Sequence, residues 1–187
     1  MRLLLGSNSP RRNELLGHMG YTFDKIAIYC DEAFDIEMPA TEVAEYLANK
    51  KSNSYTSLRK NELLITADTV VIYNETIMNK PQDRDEAFYM LSQLNNTTHL
   101  VQTGFCLRTL DKTISSTCSS EVTVDVLSPE EINFYLDNYQ PYDKAGAYGI
   151  QEWFGLTKVK HINGCYFNVV GLPCSELYKR LKNDYGV

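Results

Sequence analysis

A mixed α/β domain is the fold class that this sequence predicts, and three observations carry the prediction. Apolar runs of strand length alternate with segments of helical periodicity through the first half of the chain. Two helix starts are written in local chemistry, Ser9-Pro10 and Ser128-Pro129-Glu130-Glu131, with Ser at the cap and Pro at the first helical position. Later, two long strand-like runs meet at Asp111-Lys112 and read as a hairpin. The expected architecture is a single elongated domain over residues 1–187, with a mixed central sheet flanked by helices.

The elements follow in order. Leu3–Leu5 reads as a buried first strand, and the helix opened by Ser9 buries Leu15, Leu16 and Met19. Thr22–Ile28 reads as a second strand. Thr41 is expected to cap a longer helix whose apolar positions Ala44, Leu47, Ala48, Tyr55 and Leu58 recur at helical spacing. Leu63–Tyr73 is a nearly continuous apolar run, the pattern of a central strand buried on both faces. Asp83 and Glu86 form a capping-box-like pair before Ala87, Met90, Leu91 and Leu94, and Asn95-Asn96 ends that helix. His99–Leu110 and Thr113–Leu127 are the hairpin strands. Tyr142–Gln151 reads as loop, Thr157–Ile162 and Cys165–Val170 as short strands around Asn163-Gly164, and Pro173 to Asp184 as the last helix.

Composition narrows the function. The chain has 187 residues, with 43% hydrophobic and 22% charged, as expected of a soluble globular domain. Its net charge of −6 argues against a nucleic-acid backbone as the main partner. No apolar stretch approaches the roughly 20 residues of a membrane span, and the N-terminal apolar run is too short for a signal peptide. The five cysteines (Cys30, Cys106, Cys118, Cys165, Cys174) are widely spaced with no C-x-x-C pair, which points to reduced, mostly buried thiols in a cytoplasmic protein.

Four places break local rules. Arg11 and Arg12 sit in the first turn of a helix, where cations are disfavoured by the helix dipole. With the free N–H groups of that turn, the segment from Ser7 to Arg12 resembles a prepared anion site; a solvated Arg pair is the plain alternative. Lys51 shares a face with Ala44, Leu47 and Ala48, unlike its neighbour Lys50, although a lysine there can also snorkel past the core edge. Asp68 interrupts an apolar strand, where a carboxylate is costly unless paired, hydrogen-bonded or metal-bound; it can also mark the strand's end. Lys80-Pro81 lies between a short strand, Thr76–Met78, and a helix. Lys80 and Glu32 are ordinary singly. There is no Ser-based nucleophile elbow, P-loop or dinucleotide fingerprint. Cations and carboxylates without a nucleophile suit metal-assisted attack of water on a polyphosphate.

The same residues carry a family resemblance. Ser7-Asn8-Ser9-Pro10-Arg11-Arg12-Asn13-Glu14-Leu15-Leu16 resembles the N-terminal signature of Maf proteins. Ala67-Asp68-Thr69-Val70-Val71, Lys80-Pro81-Gln82-Asp83, Asp143 through Gln151 and Gly171-Leu172-Pro173 follow in the family's order. The resemblance implies a fold similar to inosine-triphosphate pyrophosphatases. It also implies a metal-dependent nucleoside-triphosphate pyrophosphatase that yields a nucleoside monophosphate and pyrophosphate. Family positions fall on Ser7, Arg11, Arg12, Glu32, Lys51, Asp68, Lys80 and Gln151. The uninterrupted Ser-Pro-Arg-Arg, Thr69 after Asp68, and Gln151 resemble the subgroup acting on dTTP and UTP, with modified pyrimidine nucleotides as further candidates. Ser52-Asn53 after Lys51 departs from the common pattern.

On that resemblance Ser7, Arg11, Arg12, Thr69 and Gln151 are expected to bind substrate, Thr69 and Gln151 at the base. Lys51, Lys80 and Asp68 are the expected catalytic groups, and Glu32 with Asp68 would hold a divalent ion, Mg²⁺ or Mn²⁺. A nucleotide-binding regulator of septum formation with little turnover is the alternative. A homodimer is also expected, with Phe88, Tyr135 and exposed tyrosines as interface candidates.

Overall fold

Helix starts form where side chains can cap them. In the computed structural model, which describes residues 1–187, Ser9 caps helix α1 (Pro10–His18) by accepting from the Arg12 N–H. Asp83 caps α3 (Arg84–Leu94) through the Glu86 N–H at 2.9 Å, while the Glu86 carboxylate reaches back to the Gln82 N–H at 2.7 Å. Ser128 and Glu131 close a full capping box on α4 (Pro129–Tyr139). Thr41 does not cap α2: that helix runs Ala40–Ser54 behind Pro39, without a side-chain cap, and Thr41 is exposed in its first turn.

Strands β1 (Arg2–Leu5), β2 (Phe23–Lys25), β3 (Glu62–Tyr73), β4 (Thr76–Met78), β5 (Thr98–Arg108), β6 (Thr113–Val124) and β7 (Val159–Asn163) form one sheet in the order β2-β1-β3-β5-β6-β7, with β4 on β3. β1 is parallel to β2 and β3, whereas β4 and β7 are antiparallel to their partners. The expected mixed α/β sheet is thus observed. β2 is shorter than Thr22–Ile28 because β1, its partner, stops at Leu5; only the Ile26 N–H continues the ladder, to the Leu5 carbonyl. No helix is long and apolar enough to cross a membrane.

The chain divides into two compact units, and β3, β5 and β6 contribute residues to each. The first comprises Met1–Thr69, Thr103–Cys118 and Gly171–Val187. Its α2 crosses the sheet at Gly104, where a Cβ would lie 2.4 Å from backbone atoms of Ala44 and Glu45. One turn on, Thr66 Oγ1 donates to the Ala48 carbonyl at 2.7 Å, tying helix to strand. α2 ends at Ser54, earlier than expected, because the Arg108 guanidinium takes the carbonyls of Ser52 and Tyr55. Tyr55 and Leu58 are therefore not helical; they pack on Leu4 and Leu64, which explains their apolar character. Helix α7 (Cys174–Tyr185) closes this unit, with Leu177 and Leu181 fully buried.

The second unit comprises Val70–Gln102 and Ser119–Val170. Here the expected hairpin around Asn163-Gly164 does not form. Residues 153–158 are helix α5 (Trp153–Lys158), β7 pairs with β6, and Cys165–Val170 contains helix α6 (Tyr166–Val170). Two contacts drive the difference. Gly164, at φ +135°, sits where a Cβ would meet Ser120, and buried Asn168 donates to the Val101 carbonyl and to Ser120 Oγ, both at 3.0 Å. The segment Tyr142–Gln151 is loop apart from one 3₁₀ turn, Ala145–Ala147. Tyr135 is fully buried and so lies at no interface, while Phe88 is half-buried. All five cysteines are free thiols, but only Cys106 is fully buried.

His99 is 3% exposed, and its Nε2 lies 2.7 Å from the Tyr148 hydroxyl. Burial lowers its pKa from 6.5 to about 4. The folded state therefore binds fewer protons than the unfolded chain between those values, so stability falls as pH falls through that window. The expected loss across the whole window is on the order of 3 kcal/mol, at about 1.4 kcal/mol for each pH unit. Urea titrations at pH 7 and pH 4.5 should show most of it, and His99→Gln should remove most of the difference. Gly104→Ala should destabilise the fold by about 1–3 kcal/mol, since backbone rather than a flexible side chain stands in the way; thermal unfolding measures this directly.

Candidate active site

The first unit gathers charged side chains where the β1 ladder ends. β1 pairs with β3 as far as Leu5 opposite Ile65. Residues 66–69 of β3 thus run on past the end of the β1 ladder within the same unit. Asp68 and Thr69 lie in this stretch and are half-buried, whereas Ala67 and Val70 on either side are buried. Gly6 ends β1 at the same level; a Cβ there would be 2.3 Å from Ile28 Cδ1 and 3.0 Å from Thr66 Cγ2. The chain then turns through Ser7, whose Oγ accepts the Ser9 N–H at 3.2 Å, into α1.

Arg12 projects from the first turn of α1 into this region. Its Nε donates to the Gly171 carbonyl at 2.8 Å, its Nη2 to Thr69 Oγ1 at 2.9 Å and its Nη1 to Ser7 Oγ at 3.4 Å. Three of the five N–H donors of a guanidinium are thereby held, and its plane is set. Burial is the largest influence on Arg12 and lowers its pKa; Asp68 opposes this, Arg11 adds to the lowering, and Glu32 opposes it. A half-buried guanidinium beside a second arginine at a helix N-terminus favours an incoming anion.

The same unit holds a lysine–carboxylate group. Lys51 extends from the buried face of α2 with its side chain only 14% exposed. Its ammonium donates to Asp68 Oδ1 in a short contact and lies 2.8 Å from Glu32 Oε1. Glu32 belongs to the irregular segment between β2 and α2. The same segment is tied to α2 by Lys50, which donates to the Ala33 carbonyl at 2.6 Å. Lys50 and Lys51 thus serve different partners, as their places on the helix wheel predict.

Glu32 and Asp68 supply hard oxygen donors of the kind Mg²⁺ and Mn²⁺ take, but no group of three or more acids, histidines or cysteines stands ready for a metal. Two carboxylates are the protein share of a site completed by phosphate oxygens and water. The donor set fits such an ion on those terms.

Lys80 and Gln151 belong to the second unit and are exposed. Lys80 follows β4, beside the Asn79 carbonyl that accepts the Gly146 N–H at 3.3 Å. Gln151 ends a segment held from beneath. The Tyr135 hydroxyl accepts the Gly149 N–H at 2.9 Å and donates to Glu152, whose other oxygen lies 3.0 Å from Lys144 Nζ. A Cβ at Gly149 would lie 2.6 Å from the Glu152 carboxyl carbon, so a larger residue there would push the Glu152 carboxylate aside. Burial, reinforced by Glu152, raises the Tyr135 pKa and keeps the hydroxyl protonated as a donor.

The structure therefore brings Ser7, Arg12 and Thr69 together in one group, and Lys51, Glu32 and Asp68 in another. Sequence reasoning missed three supports. Thr103 Oγ1, fully buried, lies 2.9 Å from Thr69 Oγ1; the Gly171 carbonyl holds Arg12; Tyr135 and Glu152 hold the Gln151 segment. Thr103 stands between Gln102 and Gly104 in β5, so the local sequence gives it no mark and names no partner.

The family model described as Maf-like protein matches residues 2–184. The protein named dTTP/UTP pyrophosphatase in Bacteroides thetaiotaomicron is 44% identical over 97% of this chain and 95% of its own length. Its namesake in Porphyromonas gingivalis strain W83 is 46% identical over 99% and 94%, and that of Flavobacterium johnsoniae 39% over 96% and 93%. Among solved structures, the Ham1 protein of Staphylococcus aureus aligns at a TM-score of 0.48 and 11% identity over 66% of this chain and 72% of that one, too distant to bear on the fold. With the family model spanning nearly every residue and relatives this similar from end to end, the chain belongs to the Maf-like protein family.

Proposed function

We propose that the chain is a dTTP/UTP pyrophosphatase, converting a pyrimidine nucleoside triphosphate and water to the monophosphate and pyrophosphate. The observation that carries the reading is the pairing, within one unit, of an anchored Arg12 at a helix N-terminus with the Asp68–Lys51–Glu32 group. The names of relatives at 39–46% identity support the substrate.

In this reading Arg11, Arg12, Ser7 and the first turn of α1 hold the β and γ phosphates. Asp68 orients the attacking water and accepts its proton as the oxygen bonds to the α phosphorus. The bond from that phosphorus to the bridging oxygen breaks, and Lys51 and Lys80 neutralise the charge that grows on departing pyrophosphate. Glu32 and Asp68 are the residues that would hold a divalent ion, Mg²⁺ or Mn²⁺, which when bound offsets phosphate charge as a Lewis acid. Gln151 presents an amide to the base from its pinned segment. Thr69 contributes there only with what its hydroxyl retains after accepting from Arg12. A cytoplasmic location and a homodimer, with Tyr135 excluded from the interface by burial, complete the proposal.

The test separates pyrophosphate from single phosphate across dTTP, UTP, modified pyrimidine triphosphates and ITP, with and without Mg²⁺ or Mn²⁺. Metal-dependent pyrophosphate release, strongest with dTTP and UTP, is expected. Release of single phosphate overturns the mechanism, and tight binding without turnover favours the regulatory alternative. Asp68→Asn should lower kcat by about 10²–10⁴-fold, the usual worth of a positioned general base. Its nucleotide Kd, read by calorimetry without divalent ion, should stay within a few-fold of wild type; near-normal turnover would remove Asp68 from the chemistry.

A further inference from the structure

The ammonium of Lys51 occupies the position that gives Glu32 and Asp68 a shared cation. Its Nζ is 2.8 Å from Glu32 Oε1 and donates to Asp68 Oδ1, with the Lys51 and Asp68 side chains only 14% and 13% exposed. The two acids that would hold a divalent ion therefore already share the Lys51 ammonium. An ammonium and a divalent ion a few ångströms apart repel strongly where water is partly excluded. The carboxylates cannot serve both with Lys51 in place. Phosphate oxygens added to two carboxylates give Mg²⁺ or Mn²⁺ a fuller ligand set than the carboxylates and water alone. Lysine is suited to changing partners, since its ammonium is a point charge on a flexible four-carbon stem and binds phosphate readily.

We propose that Lys51 is the resident counter-cation of the Glu32–Asp68 pair and keeps it closed to free divalent ions until a triphosphate draws the ammonium away. The inference rests on the pyrophosphatase reading, and it sets an order: the ion enters with the nucleotide, not before it. Lys50 is a built-in comparison. It reaches the same segment, at the Ala33 carbonyl and 3.7 Å from Asp31, but makes no ion pair with Asp68.

The test measures Mn²⁺ binding to the full chain by the electron paramagnetic resonance signal of free Mn²⁺, without turnover. It is run with no nucleotide and again with an α,β-methylene triphosphate analogue. In the wild type the analogue should tighten Mn²⁺ binding by about tenfold or more, and Mn²⁺ should tighten analogue binding by the same factor. Without nucleotide, Lys51→Met should bind Mn²⁺ about tenfold or more tightly than wild type, and the gain should vanish in Lys51→Met/Asp68→Asn. Lys50→Met should stay within about twofold, as an exposed charge would. Nucleotide-free Mn²⁺ binding by the wild type as tight as by Lys51→Met overturns the proposal. If Lys51→Met fails to fold, Lys51→Gln replaces it, and absence of mutual tightening in the wild type overturns the proposal by itself. Pyrophosphate release plays no part here, so failure in this measurement leaves the pyrophosphatase reading to stand or fall on its own assay.

Discussion

An ammonium on the core-facing side of a helix is costly to desolvate unless negative partners meet it there. In the first unit those partners are Asp68 and Glu32, and much of the local architecture can be understood as what brings the three groups together. α2 must lie close on the sheet for Lys51 to reach β3. Gly104 permits the approach and the Thr66–Ala48 hydrogen bond sets the height one turn before the lysine. Asp68 in turn needs a place where a carboxylate can stand in a central strand. The stretch of β3 past the last β1 pair provides it. Each charge lowers the desolvation cost of the other, so fold and site share one constraint.

The end of the β1 ladder also explains why the helix N-terminus of α1 arrives where it does. Once β1 stops at Leu5, the chain is free to turn through Ser7 and start a helix whose first N–H groups lack intrahelical partners. Arg12 then crosses that turn to three acceptors drawn from separate parts of the chain, the side chains of Ser7 and Thr69 and the carbonyl of Gly171. Because a guanidinium only donates, Thr69 Oγ1 must accept from it. This places the threonine beside the arginine rather than leaving it wholly for a ligand.

What the sequence made legible follows the range of the interactions involved. Caps at Ser9, Asp83 and Ser128 are decided within a few residues, and each forms. Local chemistry misleads at Thr41 and Cys165–Val170 because their outcomes depend on other partners: Pro39 displaces the α2 cap, and Ser120 with Val101 captures Asn168 into a helix. Tyr55 and Leu58 match a helical period yet are apolar for a different reason, packing on the sheet past the helix end. Among site residues, Arg12, Lys51 and Asp68 stand out because each puts a charge on an apolar face. Glu32 carries no such mark, since it lies in an irregular, exposed segment and its ion pair with Lys51 cannot be read from its own neighbours. Thr103 and Tyr135 are invisible as supports, because a buried hydroxyl shows its purpose only when its partner is known.

The two kinds of cation in this site differ in a way that assigns them different work. Arg12 has its fork held at three points by fixed acceptors, so it can orient an anion but cannot follow one. Lys51 is held by its ammonium head, through two carboxylates that it meets at the end of a flexible four-carbon stem. A polyphosphate entering beside Arg12 brings negative charge to the edge of that arrangement, and the lysine is the member with freedom to answer it. In the proposed exchange the fixed arginine orients the arriving anion and the lysine leaves its two carboxylates for it. The part that moves in that exchange is one side chain on a flexible four-carbon stem.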